Sequence, residues 1–409
     1  MNYKLIAILL VVAVYLYRLL LSILTLRSEK NPIPENVKDV YDKETYEKWR
    51  AYHAEKNRFE ILSSAVSFVV SLLLLIFNVY AAWARLFPDD MYSQTFSVIL
   101  LVSLTAILDI PFEWHDTMVI EQKYGFNRST AKTFWADQIK SFIITLAIMC
   151  GIASLLLRLH QSFGDWLIPA FAVIMTLIML LISFLYPFFS KIFNKFTPLE
   201  DGELKDKLTA LLTKNGYTVR AINVMDASRR STKSNAYFTG FGKMKTIVLY
   251  DTLIASQSPD EICAVFAHEL GHGLHKDTLK DQIMTFVQMA ILAIFAWFTL
   301  RTVDIFTQFG FEGLNYGFAL VLIISVEFPF VSPLFGLLSN YISRKAEYAA
   351  DEQAFKEGYG DQLITALKVL SKENYSNLSP SPTVVKLEYS HPTLSQRITA
   401  LDKLKGRSR

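Results

Sequence analysis

The stretch SPDEICAVFAHELGH, residues 258–272, has the pattern of a helix with a well-defined start. Ser258 is a typical N-cap residue, Pro259 suits the first helical position, and Glu261 can complete a capping box. The run that follows continues the helix without a break into the sequence HELGH. The segment therefore predicts one helix that carries its chemically distinctive residues near the C-terminal end.

That end carries the pattern HExxH, from His268 to His272. Residues four apart share a helix face, so both imidazoles can reach one Zn²⁺ ion. Glu269 is badly placed to be a ligand and can instead take a proton from a water molecule at the metal. The alternative is a pair of histidines that cap an exposed helix. However, a chain of this length would contain HExxH by chance only about 0.01 times.

A catalytic zinc ion has three protein ligands and one open position, so a further ligand must come from elsewhere. His275 is close in sequence to His272, too close to complete the geometry well. The run SRKAEYAAD, residues 343–351, predicts a helix with Glu347 and Asp351 on one face. Taken alone, this run would be an ordinary charged helix. Beside HExxH, Glu347 becomes the expected ligand, and Asp351 the expected acceptor of a hydrogen bond from a ligating imidazole.

Composition and hydropathy indicate that the chain is partly embedded in a membrane. Hydrophobic residues make up 52% of it and charged residues only 19%. The net charge of +3 argues against a nucleic-acid partner, and the two cysteines argue against a disulfide scaffold. Seven stretches are long and apolar enough to span a bilayer: 5–26, 61–83, 95–115, 139–158, 166–190, 282–302 and 316–339.

Lys and Arg are distributed unevenly over the loops between these spans. Eight lie within residues 27–60 and four within 116–140, against one in the three alternate loops. Because positively charged loops stay in the cytosol, the N-terminus is predicted outside and the C-terminus inside. The polar segments 191–281 and 340–409 then share the cytosolic side and can meet in space.

These observations predict a mainly α, polytopic membrane protein of about seven transmembrane helices with a small α/β zinc-metallopeptidase domain on the cytosolic side. Four parts are expected: a five-span region (1–190), a peptidase segment (191–281), two further spans (282–339) and a C-terminal segment that completes the zinc site (340–409). Within the peptidase segment we expect a helix over 200–214 and strands over Thr218–Met225, Asn235–Thr239 and Thr246–Tyr250, the last two joined through Gly240-Phe241-Gly242.

Four blocks of the sequence resemble the type I CaaX prenyl proteases, a family of integral-membrane zinc metalloproteases with seven spans. The blocks are SNAYFTG (234–240), HELGH (268–272), RKAEYAAD (344–351) and HPTLSQR (391–397). The resemblance implies that Asn235, on an edge strand, binds extended substrate backbone. It also implies that His391 hydrogen-bonds the oxyanion of the tetrahedral intermediate, with Arg397 in support. Without the resemblance, a lone His before Pro is more often structural.

The function expected is that of a membrane-embedded endopeptidase with one Zn²⁺ per chain. The resemblance implies that it removes the C-terminal three residues of prenylated CaaX proteins or peptides at the lipid bilayer. One alternative is a zinc protease of membrane-protein quality control, although such enzymes have fewer spans. Another is a non-catalytic membrane protein stabilised by zinc, but structural zinc sites usually have four ligands, and Glu269 would have no task.

Chain length and the absence of a retention signal in residues 405–409 suggest a bacterial homologue in the inner membrane. A eukaryotic chain of this kind would be expected in the endoplasmic reticulum membrane.

Overall fold

The computed structural model of the chain describes residues 1–164, 167–239 and 244–407. Six helical stretches in this part of the chain are long and apolar enough to cross a membrane: Tyr3–Ser28, Lys43–Ile76, Met91–Glu121, Ala131–Phe163, Asp277–Arg301 and Tyr316–Lys356. The predicted span 166–190 falls on a further helix of 27 residues, Leu167–Phe193. Trp166, at its start, lies outside the described residues. The architecture is mainly helical, as predicted.

The described residues of the N-terminal membrane region form seven α-helices in chain order: α1 (Tyr3–Ser28), α2 (Lys43–Ile76), α3 (Val79–Ala84), α4 (Met91–Ala106), α5 (Ile110–Trp114), α6 (Ala131–Phe163) and α7 (Leu167–Phe193). α2 begins before the predicted span 61–83, because Asp42 caps it by accepting a hydrogen bond from the backbone N–H of Thr45. It ends earlier than predicted because Asn78 adopts a left-handed φ of 55°, a conformation that Asn tolerates better than most residues. The third span is longer than predicted, since α4 leads through a 3₁₀ turn and α5 into the π-helix His115–Glu121.

The rest of the chain contains the peptidase elements and the last two spans. They are β1 (Phe196–Pro198), α8 (Glu203–Lys214), β2 (Thr218–Met225), β3 (Ala236–Thr239), β4 (Met244–Tyr250), α9 (Asp251–Ser256), α10 (Pro259–Leu274), α11 (Asp277–Arg301), α12 (Val303–Gln308), α13 (Tyr316–Leu322), α14 (Phe328–Lys356), α15 (Gly360–Glu373), α16 (Pro382–Glu388) and α17 (Leu394–Arg407).

The four strands form one sheet in the order β1-β2-β4-β3. β2 pairs with β4 in parallel, while β1 and β3 pair with their neighbours antiparallel. β3 therefore lies at an edge of the sheet. Strand β2 has the predicted bounds, β4 begins two residues earlier and β3 one residue later, and β1 was not predicted. The predicted connection Gly240-Phe241-Gly242 lies outside the described residues.

A single hydrophobic core joins the two polar segments that the last two spans separate in sequence. It contains Leu208 of α8, Ile247 of β4, Phe266 of α10, Ala354 of α14 and Leu401 of α17, all fully buried. This packing brings the HExxH helix and the helix of Glu347 into contact.

The contact between α10 and α14 is very close at Gly271. A Cβ atom at this position would lie 2.6 Å from the Cα atom of Ala350. Only glycine permits such an approach of two helix backbones. As a consequence, Glu347, one turn before Ala350, faces the histidines of α10.

α14 also connects the seventh span to the peptidase domain without interruption. Residues 337–357 contain neither Gly nor Pro, so nothing in the sequence ends the helix at the predicted boundary near residue 340. With α13 and the π-helix Ile323–Glu327, it forms a helical stretch of 41 residues, Tyr316–Lys356. A metal-ligand candidate and a membrane span thus belong to one continuous rod.

Candidate active site

α10 begins as its sequence predicts. The side chain of Ser258 accepts a hydrogen bond from the backbone N–H of Glu261, whose carboxylate accepts one from the backbone N–H of Ser258. Most of the helix residues after the cap are buried against the rest of the protein, and His268 is only 6% exposed. The helix therefore presents its histidines from a rigid, packed element.

His268, His272 and Glu347 each bring one potential ligand atom to within 4.8 Å of the others. Nε2 of His272 lies 3.2 Å from Nε2 of His268 and 3.2 Å from Oε1 of Glu347. Nε2 of His268 lies 3.5 Å from Oε2 of Glu347. Two imidazole nitrogens and one carboxylate form one of the donor sets found in catalytic zinc sites.

The surroundings of the buried Glu347 carboxylate indicate whether these three residues suit a cation. Its Oε2 atom is buried and accepts no hydrogen bond, although Nη1 of Arg397 lies 3.2 Å away. A buried acceptor without a hydrogen bond is costly unless another group satisfies it. A cation between Glu347 and the two imidazoles would do so, and the site therefore fits a metal.

Glu269 is half-buried and lines the same cavity as the three candidate ligands, a space of about 530 Å³. Asn235 and His391 also line this cavity. Glu269 is not one of the three residues whose atoms converge. Its position beside the ligands suits a base rather than a ligand.

Each imidazole is held on its second nitrogen by a carboxylate. Nδ1 of His268 lies 2.8 Å from Oδ1 of Asp351, and Nδ1 of His272 lies 3.0 Å from Oδ2 of Asp277. Lys280 in turn donates a hydrogen bond of 2.7 Å to Oδ1 of Asp277. Such partners fix the tautomer that leaves Nε2 free for a metal.

Sequence reasoning missed Asp277. It follows His272 by five residues, which is not a helical repeat, and it belongs to the next helix. The chain turns back only because Lys276 adopts a left-handed φ of 56°. An acidic residue at the first position of the helix after HExxH was the available signal.

Neighbouring carboxylates raise the pKa values of two side chains at this site, His272 and Arg397. Burial lowers the pKa of His272, but hydrogen bonds to Glu347 and Asp277 outweigh that effect and raise the pKa to about 9. Burial also acts against the charge on Arg397, yet Asp351 and Glu347 raise the pKa of its guanidinium. Both side chains are therefore cationic at neutral pH when no metal is bound.

The predicted residues of the C-terminal block lie around the same carboxylate. Nε2 of His391 lies 3.2 Å from Oε1 of Glu347, and its Nδ1 lies 2.8 Å from the hydroxyl of Ser390. Arg397 donates to Asp351 at 2.6 and 2.9 Å. The polar contacts of Arg397 that the structure describes are thus with the carboxylates and His268, and none is with His391.

Asn235 immediately precedes the edge strand β3. Its backbone carbonyl accepts a hydrogen bond of 3.1 Å from the backbone N–H of Tyr250. The residue before Asn235, Ser234, is held by the side chain of Asn374, which sequence reasoning also missed. Oδ1 of Asn374 accepts a hydrogen bond from the backbone N–H of Ser234, and its Nδ2 donates one to the Ser234 carbonyl, both at 3.2 Å. His275, the alternative ligand, is an exposed C-cap residue of α10.

Two family profiles together match nearly the whole chain. The profile described as "CAAX prenyl protease N-terminal, five membrane helices" matches residues 22–195. The profile of peptidase family M48 matches residues 198–405, which include both helices of the site. The chain belongs to peptidase family M48. This M48 chain is accordingly a multi-pass membrane metallopeptidase, and the predicted resemblance to the type I CaaX prenyl proteases is confirmed.

Several named proteins resemble this M48 chain over most of their length. It is 33% identical to "CAAX prenyl protease 1 homolog" of Arabidopsis thaliana, over 96% of the chain and 95% of that relative. It is 34% identical to "CAAX prenyl protease 1" of Saccharomyces cerevisiae, over 90% and 88%. The crystal structure of S. mikatae Ste24p has a TM-score of 0.90 to it, with 31% identity over 98% of the chain and 99% of that structure.

Proposed function

We propose that this M48 peptidase is a zinc endopeptidase that removes the C-terminal three residues of prenylated CaaX proteins or peptides. The observation that carries the proposal is the convergence of His268, His272 and Glu347 beside Glu269, in a cavity next to an edge strand. The names of the relatives support the substrate class. The loop charges support a site that faces the cytosol.

In this proposal His268, His272 and Glu347 hold one Zn²⁺ ion, because two imidazoles and a carboxylate leave a fourth position open. When bound, the ion would polarise the scissile carbonyl and acidify a water molecule. Glu269 would take a proton from the attacking water as the water oxygen bonds to the scissile carbonyl carbon, and it would pass that proton to the amine nitrogen as the C–N bond breaks. His391, which is mostly exposed to the cavity, donates a hydrogen bond to the oxyanion that develops on the carbonyl.

Asp351, Asp277 and Arg397 act through the ligands. The two aspartates orient His268 and His272 through the contacts of 2.8 and 3.0 Å. Arg397 lies within 3.2 Å of Glu347 as well as pairing with Asp351. Its charge therefore offsets the repulsion between two buried carboxylates, and we assign it to positioning the ligands.

The substrate is proposed to bind as an added strand. β3 is the terminal strand of the sheet order β1-β2-β4-β3, and an extended peptide can pair with such an edge strand through its backbone. Asn235, just before β3 and exposed to the cavity, is suited to bind that backbone. A prenyl group of about 15 carbons would add roughly 25 cal/mol for each Å² of apolar surface that leaves water.

The test compares a farnesylated CaaX peptide with the same peptide without the lipid, using purified protein and mass spectrometry of the products. Cleavage between the Cys and the next residue is expected, with a higher kcat/KM for the farnesylated peptide. Equal kcat/KM values for the two peptides would contradict the CaaX proposal. They would leave the metallopeptidase intact.

Glu269→Gln provides the matched control for the chemistry. It preserves shape and spares the ligands, so its zinc content should equal that of the wild type while turnover is lost. Turnover above a few per cent of wild type in that variant would contradict the role of Glu269 as the base.

A further inference from the structure

A second cavity lies against another face of α14, away from the metal site. Its volume is about 750 Å³. Tyr341, Arg344, Lys345 and Tyr348 line it from α14, and their spacing of three, four and seven residues puts them on one helix face. Lys386 lines it from α16. None of these residues belongs to the proposed catalytic machinery.

The lining of this cavity carries unbalanced positive charge. It includes three cationic side chains, those of Arg344, Lys345 and Lys386, and no Asp or Glu. Both lysines are exposed. In the part of the chain that the structure describes, neither lysine has a carboxylate oxygen within 4.0 Å. The two ammonium groups are therefore available to an anion that comes from outside the protein.

Arg344 has a different role, because its guanidinium is already bound. It donates hydrogen bonds to the carbonyls of Val385, at 3.2 Å, and Tyr389, at 2.6 Å. These carbonyls lie at the end of α16, where a cation is favourable. Arg344 thus fastens α16 to α14 and fixes one wall of the cavity.

The cavity lies where the seventh span ends. Immediately before it on α14, Leu334 is 60% and Leu338 52% exposed, as expected for side chains that face lipid. Tyr341 follows, half exposed, and tyrosines are enriched at the level of the headgroups. Nζ of Lys345 lies 4.7 Å from the centre of the Tyr341 ring, one turn further from the apolar surface.

We propose that this cavity binds the headgroup phosphate of an anionic phospholipid from the leaflet on the peptidase side. Lys345 and Lys386 would bind the phosphate, and the acyl chains would lie along the surface of Leu334 and Leu338. Basic pockets at the membrane boundary recognise such headgroups. Free inorganic phosphate offers the same chemistry, but the exposed apolar side chains of Leu334 and Leu338 next to the cavity favour a lipid.

The test uses the delipidated full-length chain in detergent, with lipid binding followed by native mass spectrometry. Short-chain phosphatidylglycerol should bind with a stoichiometry of one at lower concentration than phosphatidylcholine. The double variant Lys345→Gln/Lys386→Gln should weaken phosphatidylglycerol binding roughly thirtyfold. It should weaken phosphatidylcholine binding much less, because the choline cation already offsets the charge of that phosphate. Arg344 is retained in this variant, so the cavity wall should persist.

The matched control is Lys372→Gln/Lys403→Gln, which removes the same charge from two exposed lysines that do not line the cavity. It should bind phosphatidylglycerol like the wild type. Equal loss in both double variants would show a non-specific charge effect and overturn the proposal, as would phosphatidylglycerol binding within twofold of wild type in Lys345→Gln/Lys386→Gln. Inorganic phosphate that displaces the lipid at millimolar concentration would assign the site to free phosphate and also overturn the lipid proposal.

Discussion

His272 couples the metal site to pH. Its raised pKa of about 9 means that the metal-free imidazole carries a proton at neutral pH, which a metal ion must displace. As pH falls from 9 to 6, the apparent metal affinity should fall roughly tenfold per unit, and above pH 9 this dependence should disappear. Calorimetric titration of the metal-free protein with Zn²⁺ in buffers of different ionisation enthalpy measures this. Release of far less than one proton at pH 7 would contradict the pairing of His272 with Glu347 and Asp277.

Asp277→Asn should lower metal affinity by about 10- to 100-fold, as is typical when the partner of a ligating imidazole is removed. The amide keeps the shape of the side chain but no longer fixes the His272 tautomer through a charge. Competition with a zinc chelator at pH 8.5 measures the change. Asp281→Asn is the control, since Asp281 lines the same cavity but makes no described hydrogen bond to either imidazole. Equal zinc affinity of Asp277→Asn and wild type would remove Asp277 from the support of the site.

The residues of the site differ in how far the sequence alone could predict them. His268, His272, Glu347 and Asp351 follow from helical spacing, because residues four apart on a helix necessarily share a face. Asp277 depends on a left-handed turn at a lysine, which has no strong local signal. Contacts of this kind arise from the tertiary path of the chain.

At the scale of elements, Asn374 is a second residue whose contact could not be predicted from its local sequence. It lies just after α15 and binds the backbone ahead of β3 across 140 residues of sequence. Strands β2 and β4 could be predicted because they are rich in β-branched and apolar residues. β1 has only three residues, Phe196–Pro198, and is set by its pairing with β2 more than by its own composition.

The contact of α10 with α14 predicts opposite outcomes for two neighbouring glycines. At Gly271, an alanine Cβ would lie 2.6 Å from the Cα of Ala350. Overpacking of this kind typically costs about 1–3 kcal/mol, and it would push Glu347 away from the histidines. Gly271→Ala should therefore lower both the free energy of unfolding and the zinc content.

Gly273→Ala is the matched control. Its Cβ would meet the hydroxyl of Tyr217 at 2.6 Å, the far end of a side chain that can rotate away. Alanine is also favoured over glycine within a helix by about 0.5–1 kcal/mol. Thermal unfolding in detergent, together with zinc analysis, compares the two variants. A Gly271→Ala protein as stable as Gly273→Ala, with full zinc content, would show that α10 and α14 have room for a Cβ atom at position 271.

At the scale of the whole molecule, the loops with few positive charges gather at one end. Gln308 donates to the carbonyl of Met1 at 3.0 Å, and Arg85 donates to the carbonyl of Gly310 at 2.5 Å. The N-terminus, the loop after α3 and the loop after α12 are therefore neighbours. Lys-rich residues 27–60 lead instead to the peptidase domain, where Nε1 of Trp49 donates to the carbonyl of Tyr375 at 2.9 Å.

This division predicts the orientation of the protein in its membrane. Because loops rich in Lys and Arg stay in the cytosol, the end of the molecule with the peptidase domain should face the cytosol. The end that contains Met1 should face outward. Two exposed positions report the two ends: Thr307 in α12 and Lys403 in α17. Each is changed to Cys in a Cys150→Ala background, in which the remaining Cys263 is fully buried.

In bacterial cells that carry the protein in their inner membrane, a membrane-impermeant maleimide should label Thr307→Cys while the cells are intact. It should label Lys403→Cys only after the inner membrane is permeabilised. The Cys150→Ala background without an added cysteine sets the level of unspecific labelling. Labelling of Lys403→Cys in intact cells would reverse the orientation, and the proposed zinc site would then face away from any prenylated protein made in the cytosol. The loop charges favour the first result, since twelve Lys and Arg lie in the two short loops 27–60 and 116–140 assigned to the cytosol, against one in the three loops assigned to the outside.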